Sequence, residues 1–182
     1  GKLYVYDYEK LVEKFNTLGE NAKATEPGKT IADRIQKLSA VAVGQVAPDF
    51  TLNTPDGKPL SMHSIKGKVK VIDCWASWCG PCRADIPHLK ETYERYHGKG
   101  FDMVSISIDD DTDAWLKAVK EEGMAWTQVC GANGKSYDKE CMKLFGTNGV
   151  PSCVLVDAEG RVVSTNARGG WLNEKLAKLF QE

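Results

Sequence analysis

The cysteines of this chain concentrate in one short stretch. Residues 71–89, VIDCWASWCGPCRADIPHL, contain three of the six cysteines and two tryptophans. Cys79 and Cys82 are separated only by Gly80 and Pro81. A pair with this spacing can bind a metal, form a structural disulfide or exchange disulfides with other thiols. The residues and elements around the pair decide among these kinds of chemistry.

The pair is predicted to lie where a strand ends and a helix begins. Val69–Trp75 has the apolar character of a buried strand, and the following sequence predicts a helix over residues 81–97. At the start of a helix, unpaired backbone N–H groups and the macrodipole stabilise an anion. We therefore expect a lowered pKa for the thiol of Cys79, which would be exposed and nucleophilic. Cys82, one helical turn deeper, is expected to be more buried and to act as the resolving thiol.

Metal binding and a purely structural disulfide are weaker interpretations of the pair. A zinc site would need a second pair of ligands, but Cys130 and Cys141 are separated by ten residues and no histidine lies at finger spacing. Covalent haem attachment would need a histidine after Cys82, where the sequence has Arg83. A structural disulfide across so short a loop would constrain the unfolded chain very little. We therefore predict redox exchange, with no metal and no cofactor.

The composition excludes several other classes of protein. The chain has 182 residues, of which 42% are hydrophobic and 27% charged, and its net charge is -1. This balance gives no electrostatic reason to expect nucleic acid or an anionic membrane surface as a partner. No apolar run approaches the roughly 18 residues of a membrane span. The first ten residues lack the apolar region of a signal peptide, so a targeting segment or anchor would lie upstream.

The chain is predicted to consist of a helical extension and an α/β domain. Residues 1–42 show about two amphipathic helices joined by the polar linker NAKATEPG, and they would cap the domain or end an upstream one. In residues 43–182, an N-terminal hairpin precedes strands that alternate with helices. Strands separated by helices predict a mainly parallel central sheet, to which a late hairpin adds antiparallel strands. This pattern predicts a three-layer α/β domain.

Three segments carry a resemblance to a known family. The segment DCWASWCGPCRADIP resembles the active-site segment of thioredoxins. Together with GQVAPDFTL before it and GVPSCVLVDAEGRVV after it, the pattern is similar to the TlpA/ResA branch of envelope thiol–disulfide oxidoreductases, which is related to AhpC/TSA proteins. The resemblance covers about residues 43–180, and the helical lead-in is typical of Bacteroidetes-type members. It implies a thioredoxin fold, with a central mixed sheet flanked by helices, and a redox-active Cys79–Cys82 disulfide.

The resemblance also assigns roles to two acidic residues. Asp73 matches the buried acid of thioredoxins, whose raised pKa lets it take the proton from Cys82. The alternative is an aspartate at a strand end that is bonded to the backbone. Ser105 stands where thioredoxins usually place a lysine paired with that acid. Asp85 matches an acidic residue near the active site of cytochrome-maturation members, as a second proton acceptor or a contact for partners, and an exposed helix residue is the alternative.

Five residues are predicted to form the substrate-binding face. Trp78 matches the tryptophan that flanks the reactive sulfur in the family. Gly80 lets a partner chain approach closely, and Pro81, which lacks an N–H, fits the first helical turn. Val150 and Pro151 match the cis-proline loop opposite the disulfide. The backbone of Val150 would pair with an extended segment of the substrate by β-addition.

The remaining cysteines are given structural interpretations. Cys74 and Cys153 are predicted to fill the core as small hydrophobic residues. Cys130 and Cys141 would form a disulfide in an oxidising compartment, or Cys141 would be a core residue of a short helix over residues 137–145.

These observations predict an enzyme that reduces disulfides of proteins in the cell envelope or periplasm, with cytochrome c maturation as one setting. Its partners would be protein disulfides and an upstream reductant. Two alternatives remain at this point. The segment APDFTL also opens peroxiredoxins, which are thiol peroxidases, but those proteins have a threonine three residues before the reactive cysteine, where this chain has Ala76. A partner-binding module without catalytic activity is the other alternative.

Overall fold

The structure of the chain, a computed structural model, describes residues 8–130, 144–147, 149–165 and 167–181. Its strands are β1 (Thr51–Asn53), β2 (Pro59–Ser61), β3 (Val69–Trp75), β4 (Phe101–Ser107), β5 (Thr127–Cys130), β6 (Ser152–Asp157) and β7 (Val162–Ser164). Its α-helices are α1 (Tyr8–Asn16), α2 (Glu20–Lys23), α3 (Glu26–Ser39), α4 (Gly80–Tyr96), α5 (Thr112–Glu122) and α6 (Gly170–Leu179). The strands form one sheet in the order β2-β1-β5-β4-β3-β6-β7. None of the helices in these ranges has the length and hydropathy that crossing a membrane requires.

The sheet is mixed, and its parallel part is smaller than the sequence predicts. Strands β3, β4 and β5 are parallel to one another. The pairings β1–β2, β1–β5, β3–β6 and β6–β7 are all antiparallel. The mixed sheet that the resemblance implies is confirmed, and the late hairpin adds antiparallel strands as predicted. The expectation that parallel pairings dominate is wrong, because β6 and the N-terminal hairpin both pair antiparallel with their central neighbours. The hairpins at both ends of the domain are present as predicted.

Strand β3 runs through the middle of the sheet and carries the residues that lead to the cysteine pair. All seven of its residues are buried, because the strand has neighbours on both sides and is covered on both faces. Its register places Asp73 opposite Ser105 of β4 and Cys153 of β6. The carboxyl end of this strand therefore has a fixed position before the chain enters α4.

Helix α4 packs one face against the sheet. Its buried residues recur every three or four positions, which is the spacing of one helical face, and they are Cys82, Ile86, Leu89, Thr92 and Tyr96. Cys79 is the N-cap, and a proline lies in the first turn. Burial of this face fixes the start of the helix relative to β3.

The N-terminal extension has three helices where the sequence predicts about two, and the last of them begins earlier than expected. The segment interpreted as a polar linker contains α2 and the start of α3. Thr25 caps α3 by accepting a hydrogen bond from the N–H of Gly28 on its side-chain oxygen, at 3.2 Å, and a proline lies in the first turn. After these helices, residues 41–47 join the domain, since Val46 forms a bridge with Arg161 beside β7. The helix predicted over residues 137–145 lies mostly outside the described residues.

Candidate active site

A disulfide joins Cys79 and Cys82 at the start of α4, with an S–S distance of 2.04 Å. The sulfur of Cys79 accepts a hydrogen bond from the backbone N–H of Cys82 at 3.2 Å. Cys79 was predicted to be exposed, but in the disulfide both residues are buried, with 5% and 2% of their surface exposed. The neighbouring Trp78 is 67% exposed. Apart from the chain neighbours and the backbone of α4 itself, no heavy atom of the described residues lies within 4 Å of where a Cβ on Gly80 would project. Another molecule can therefore approach the disulfide beside these two residues.

The loop between β3 and α4 is held by Asp109, which the sequence analysis missed. The backbone N–H of Ser77 donates to Oδ2 of Asp109 at 2.9 Å, and the hydroxyl of Ser77 donates to Oδ1 of Asp109 at 2.5 Å. The hydroxyl of Ser107 donates to Oδ2 at 2.6 Å. Asp109 is 4% exposed, so these bonds satisfy a buried carboxyl group. Asp109 could have been found from its place two residues after the end of β4, because parallel neighbours such as β3 and β4 end at the same edge of a sheet.

The loop that contains Pro151 lies at the same end of β3 as the disulfide. The Val150–Pro151 peptide bond is cis, as the resemblance predicts. Pro151 directly precedes β6, whose first residue is aligned with Cys74 near the carboxyl end of β3. Thr147 stabilises the loop, since its hydroxyl donates to the carbonyl of Gly149 at 2.6 Å and accepts the N–H of that residue at 3.2 Å.

Asp73 lies deep in the domain, with 3% of its surface exposed. The hydroxyl of Ser105 donates to its Oδ2 at 3.0 Å, and Nε1 of Trp126 donates to the same hydroxyl at 2.8 Å. Burial raises the pKa of Asp73 to about 6, although the charge of Arg168 and the bond from Ser105 both lower it. The raised pKa agrees with the expectation for this position. Where the sequence departs from thioredoxins, Ser105 supplies a neutral hydrogen bond in place of a lysine.

Arg168 connects the two acidic residues that the sequence analysis considered separately. Its Nε and Nη2 donate to Oδ2 of Asp85 at 3.1 and 2.7 Å. Its Nη1 lies 3.8 Å from Oδ1 of Asp73. The side chain of Asp85 is 16% exposed, so it is not the exposed helix residue that the alternative described. Arg168 was missed because it lies 83 residues after Asp85, and no local pattern marks it.

The other described cysteines are buried. Cys74 and Cys153 are each 2% exposed, as expected of core residues. The thiol of Cys153 donates to the carbonyl of Ala167 at 2.8 Å, and burial, with the nearby charge of Asp73, raises its pKa above the usual range. Cys141 lies outside the described residues, so its pairing with Cys130 stays a prediction. Among the residues that are described, no three His, Cys, Asp or Glu side chains gather closely enough to hold a metal ion.

The comparison with protein families bears directly on this site. The redoxin family model matches residues 42–170, which is well over half of the chain and includes every candidate site residue. The chain belongs to the redoxin family. The match begins one residue before the predicted α/β domain and ends at the first residue of α6.

Individual relatives of this redoxin agree on its chemistry. Thiol-disulfide oxidoreductase ResA of Bacillus thuringiensis subsp. konkukian is 25% identical over 146 residues, which cover 80% of this chain and 81% of that protein. The crystal structure of the thioredoxin domain of a thiol-disulfide oxidoreductase from Bacteroides vulgatus has 32% identity and a TM-score of 0.70, covering 76% of this chain and 98% of that one. The solution structure of a thiol:disulfide interchange protein from Bacteroides sp. has 31% identity and a TM-score of 0.71, and the match covers 79% of this chain and 93% of that one. This redoxin is a TlpA/ResA-like thiol–disulfide oxidoreductase with a thioredoxin-like fold.

Proposed function

We propose that this enzyme reduces disulfide bonds of proteins in the cell envelope, with Cys79 as the nucleophile and Cys82 as the resolving thiol. The observation that carries the proposal is the Cys79–Cys82 disulfide at the start of α4, at the same edge of the sheet as the cis-Pro151 loop. The Gly-Pro pair between the cysteines is that of reducing thioredoxins, whose potential is about -270 mV. The TlpA/ResA resemblance supports the envelope location and leaves cytochrome c maturation as one setting.

In the first step, the thiolate of Cys79 attacks one sulfur of the substrate disulfide. A mixed disulfide forms between Cys79 and the substrate, and the other substrate sulfur leaves as a thiolate and takes a proton. The helix start favours the attacking thiolate, because the N–H of Cys82 points at the sulfur of Cys79. Trp78, Gly80 and Pro81 form the face that the substrate contacts in this proposal. The backbone of Val150 pairs with the substrate segment beside its disulfide.

In the second step, Cys82 releases the substrate. Its thiol transfers a proton to Asp73, and its thiolate attacks the sulfur of Cys79. The Cys79–Cys82 disulfide forms, and the second substrate thiolate leaves and is protonated. Asp73 suits this role because a carboxyl with a pKa of about 6 is mostly ionised at neutral pH and still holds a proton far better than an ordinary aspartate. An upstream reductant then returns two electrons and two protons to the enzyme.

A trapping experiment tests this assignment of the two cysteines. We expect the reduced Cys82→Ser variant, mixed with oxidised insulin, to stop at the mixed disulfide, because no thiol remains to displace the substrate from Cys79. Mass spectrometry without reductant should find insulin chains attached to Cys79. The wild type should release reduced insulin instead.

The matched control is Cys79→Ser, which keeps the second thiol and should trap nothing. Insulin attached to Cys82 or Cys74 would contradict the proposed order of attack. Turnover of hydrogen peroxide faster than turnover of insulin would favour the peroxidase alternative. The same Cys82→Ser variant, expressed in the native envelope, should capture the physiological substrate through Cys79.

A further inference from the structure

We propose that Arg168 is a positioning residue of the exchange site, which brings to Asp73 the cation that β4 does not supply. The inference rests on the proposed function, in which Asp73 takes the proton of Cys82. Ser105 faces Asp73 from β4, where the family resemblance leads one to expect a lysine. The positive charge comes instead from Arg168, in the segment between β7 and α6.

The guanidinium of Arg168 is held in one orientation. Two of its nitrogens donate to a single oxygen of Asp85, and hydrogen bonds between two charged groups are stronger than neutral ones. The side chains of Arg168 and Asp85 are only 17% and 16% exposed, so solvent screens the pair weakly. Asp85 therefore anchors the arginine from the first turns of α4, the helix that also carries the cysteines.

The third nitrogen of Arg168 is aimed at the proton acceptor. Nη1 is buried and has no hydrogen-bond partner among the described residues. Leaving a buried donor unpaired is unfavourable, so the position of this nitrogen needs a compensating interaction. It lies 3.8 Å from Oδ1 of Asp73, which is too long for a hydrogen bond but close enough for strong attraction to an ionised carboxylate.

The charged and titratable groups around Asp73 come from three directions. Asp85 faces it from α4 and raises its pKa, while Arg168 faces it from the segment before α6 and lowers that pKa. Cys153, from β6, is a thiol that stays neutral because burial raises its pKa. Without Arg168, the carboxyl groups of Asp73 and Asp85 would face each other with no cation from the described residues between them. Asp73 would then keep its proton to higher pH, and fewer molecules could accept the proton of Cys82 at neutral pH.

The test is the titration of Asp73 in an Arg168→Gln variant of the full chain. We expect the pKa of Asp73, followed by carbon-13 NMR of its carboxyl group in the disulfide form, to rise by at least about one unit. The pH profile for resolution of a mixed disulfide by Cys82 should move upward by a similar amount. Arg168→Lys, which keeps the charge, should restore most of the wild-type profile. Arg161→Gln is the matched control, since Arg161 is an exposed arginine whose guanidinium donates to the carbonyl of Gly44.

A second variant should shift the pKa of Asp73 in the opposite direction, and it provides a test if Arg168→Gln does not fold. Asp85→Asn keeps an oxygen for Arg168 but removes the negative charge that faces Asp73, so it should lower the pKa of Asp73. An unchanged titration of Asp73 in Arg168→Gln, or in Asp85→Asn if that is the variant that folds, would overturn the inference.

The Asp73→Asn variant distinguishes a failure of the proposed function from a failure of this inference. If Asp73→Asn leaves the pH profile of resolution unchanged, Asp73 does not accept the proton, whatever Arg168 does to its titration. If Asp73→Asn abolishes the pH dependence and Arg168→Gln has no effect on it, only the role of Arg168 fails. In an Asp73→Asn background, adding Arg168→Gln should no longer move the profile.

Discussion

At the scale of single residues, the site depends on a carboxyl group that is kept in an unfavourable place. Asp73 is buried, and its one described hydrogen bond comes from the neutral Ser105. Its pKa rises from 3.8 to about 6, which corresponds to a difference of roughly 3 kcal/mol between the protonated and ionised forms. A residue chosen for stability alone would not carry this charge.

The unfavourable ionisation of buried Asp73 predicts in which direction the stability of the protein changes with pH. A raised folded-state pKa means that the folded protein binds the proton more tightly, so stability falls as the pH rises from about 4 through about 6. We expect Asp73→Asn, which cannot ionise, to raise the free energy of unfolding at about pH 8 by as much as roughly 3 kcal/mol. Most of the gain should be lost at about pH 3.5, where the wild-type carboxyl is mostly protonated in both states.

Urea denaturation of the disulfide form at both pH values measures this difference. Asp33→Asn is the control, because that aspartate pairs with Lys37 on an exposed face of α3 and should change stability little at either pH. A gain from Asp73→Asn that is equal at both pH values would mean that packing of the amide, and not ionisation, is responsible.

The local sequence pattern predicts the site residues that lie close together along the chain, and the family resemblance adds Pro151, but Asp109 and Arg168 were missed. Cys79, Cys82 and Asp73 belong to one continuous strand–helix segment, and their spacing along it is fixed by local geometry. Asp109 reaches Ser77 from 32 residues away, and Arg168 reaches Asp85 from 83 residues away. Such contacts depend on how strands and loops meet at one edge of the sheet, which no local pattern in a single sequence records.

At the scale of elements, the start of α4 depends on the turn that precedes it. As the N-cap, Cys79 holds its sulfur against the first turn of the helix, where it accepts the hydrogen bond from the N–H of Cys82. The turn is fixed from the neighbouring strand end by the bonds from Ser77 to Asp109. Element types follow from local periodicity, so β3 and α4 match their predicted positions within one residue. The order of the strands, with β6 beside β3, is a property of the whole sheet and was not predicted.

Removing the Asp109 contacts should therefore make the turn before α4, and with it the position of Cys79, less rigid. We expect Asp109→Ala to lower the free energy of unfolding by about 2 to 3 kcal/mol, because it leaves the N–H of Ser77 and the hydroxyl of Ser107 without their buried acceptor. Iodoacetamide should alkylate Cys79 of the reduced variant more slowly at neutral pH, because the sulfur is no longer held at the start of the helix. Thermal denaturation and iodoacetamide labelling measure the two effects. Asp110→Ala, at the exposed neighbouring position, is the control, and an equal loss in both variants would contradict the role given to Asp109.

At the scale of the whole molecule, the N-terminal helices contribute little to the core of the domain. Helix α1 has no buried residue, and the only buried residue of α3 is Gly28, which packs against the backbone of Ala22 and Lys23. The segment after them is different. Val41 is fully buried and Ala47 nearly so. The division into a helical extension over residues 1–42 and a thioredoxin-like domain over residues 43–182 stays a proposal, and the burial of Val41 indicates that packing on the domain begins two residues before that boundary.

Residues 41–47 close the edge of the sheet at β7. The N–H of Gly44 donates to the carbonyl of Val162, and the N–H of Val162 donates back to the carbonyl of Gln45, both at 2.8 Å. The N–H of Ala47 donates to the carbonyl of Gly160, also at 2.8 Å. Because these bonds cover an exposed strand edge, their loss affects both stability and the tendency of β7 to pair with another chain.

Two shortened chains separate the extension from the domain. We expect a chain that begins at residue 41 to reduce insulin at nearly the full rate, because the cysteines, Asp73, Pro151 and Arg168 all follow that point. A chain that begins at residue 48 should lose about 5 kcal/mol of stability, from three backbone hydrogen bonds and the burial of Val41. Denaturation curves and insulin assays on both chains measure this contrast. If the chain from residue 41 were as unstable as the shorter one, helices α1 to α3 would be part of the folding unit, and the boundary would have to move toward the N-terminus.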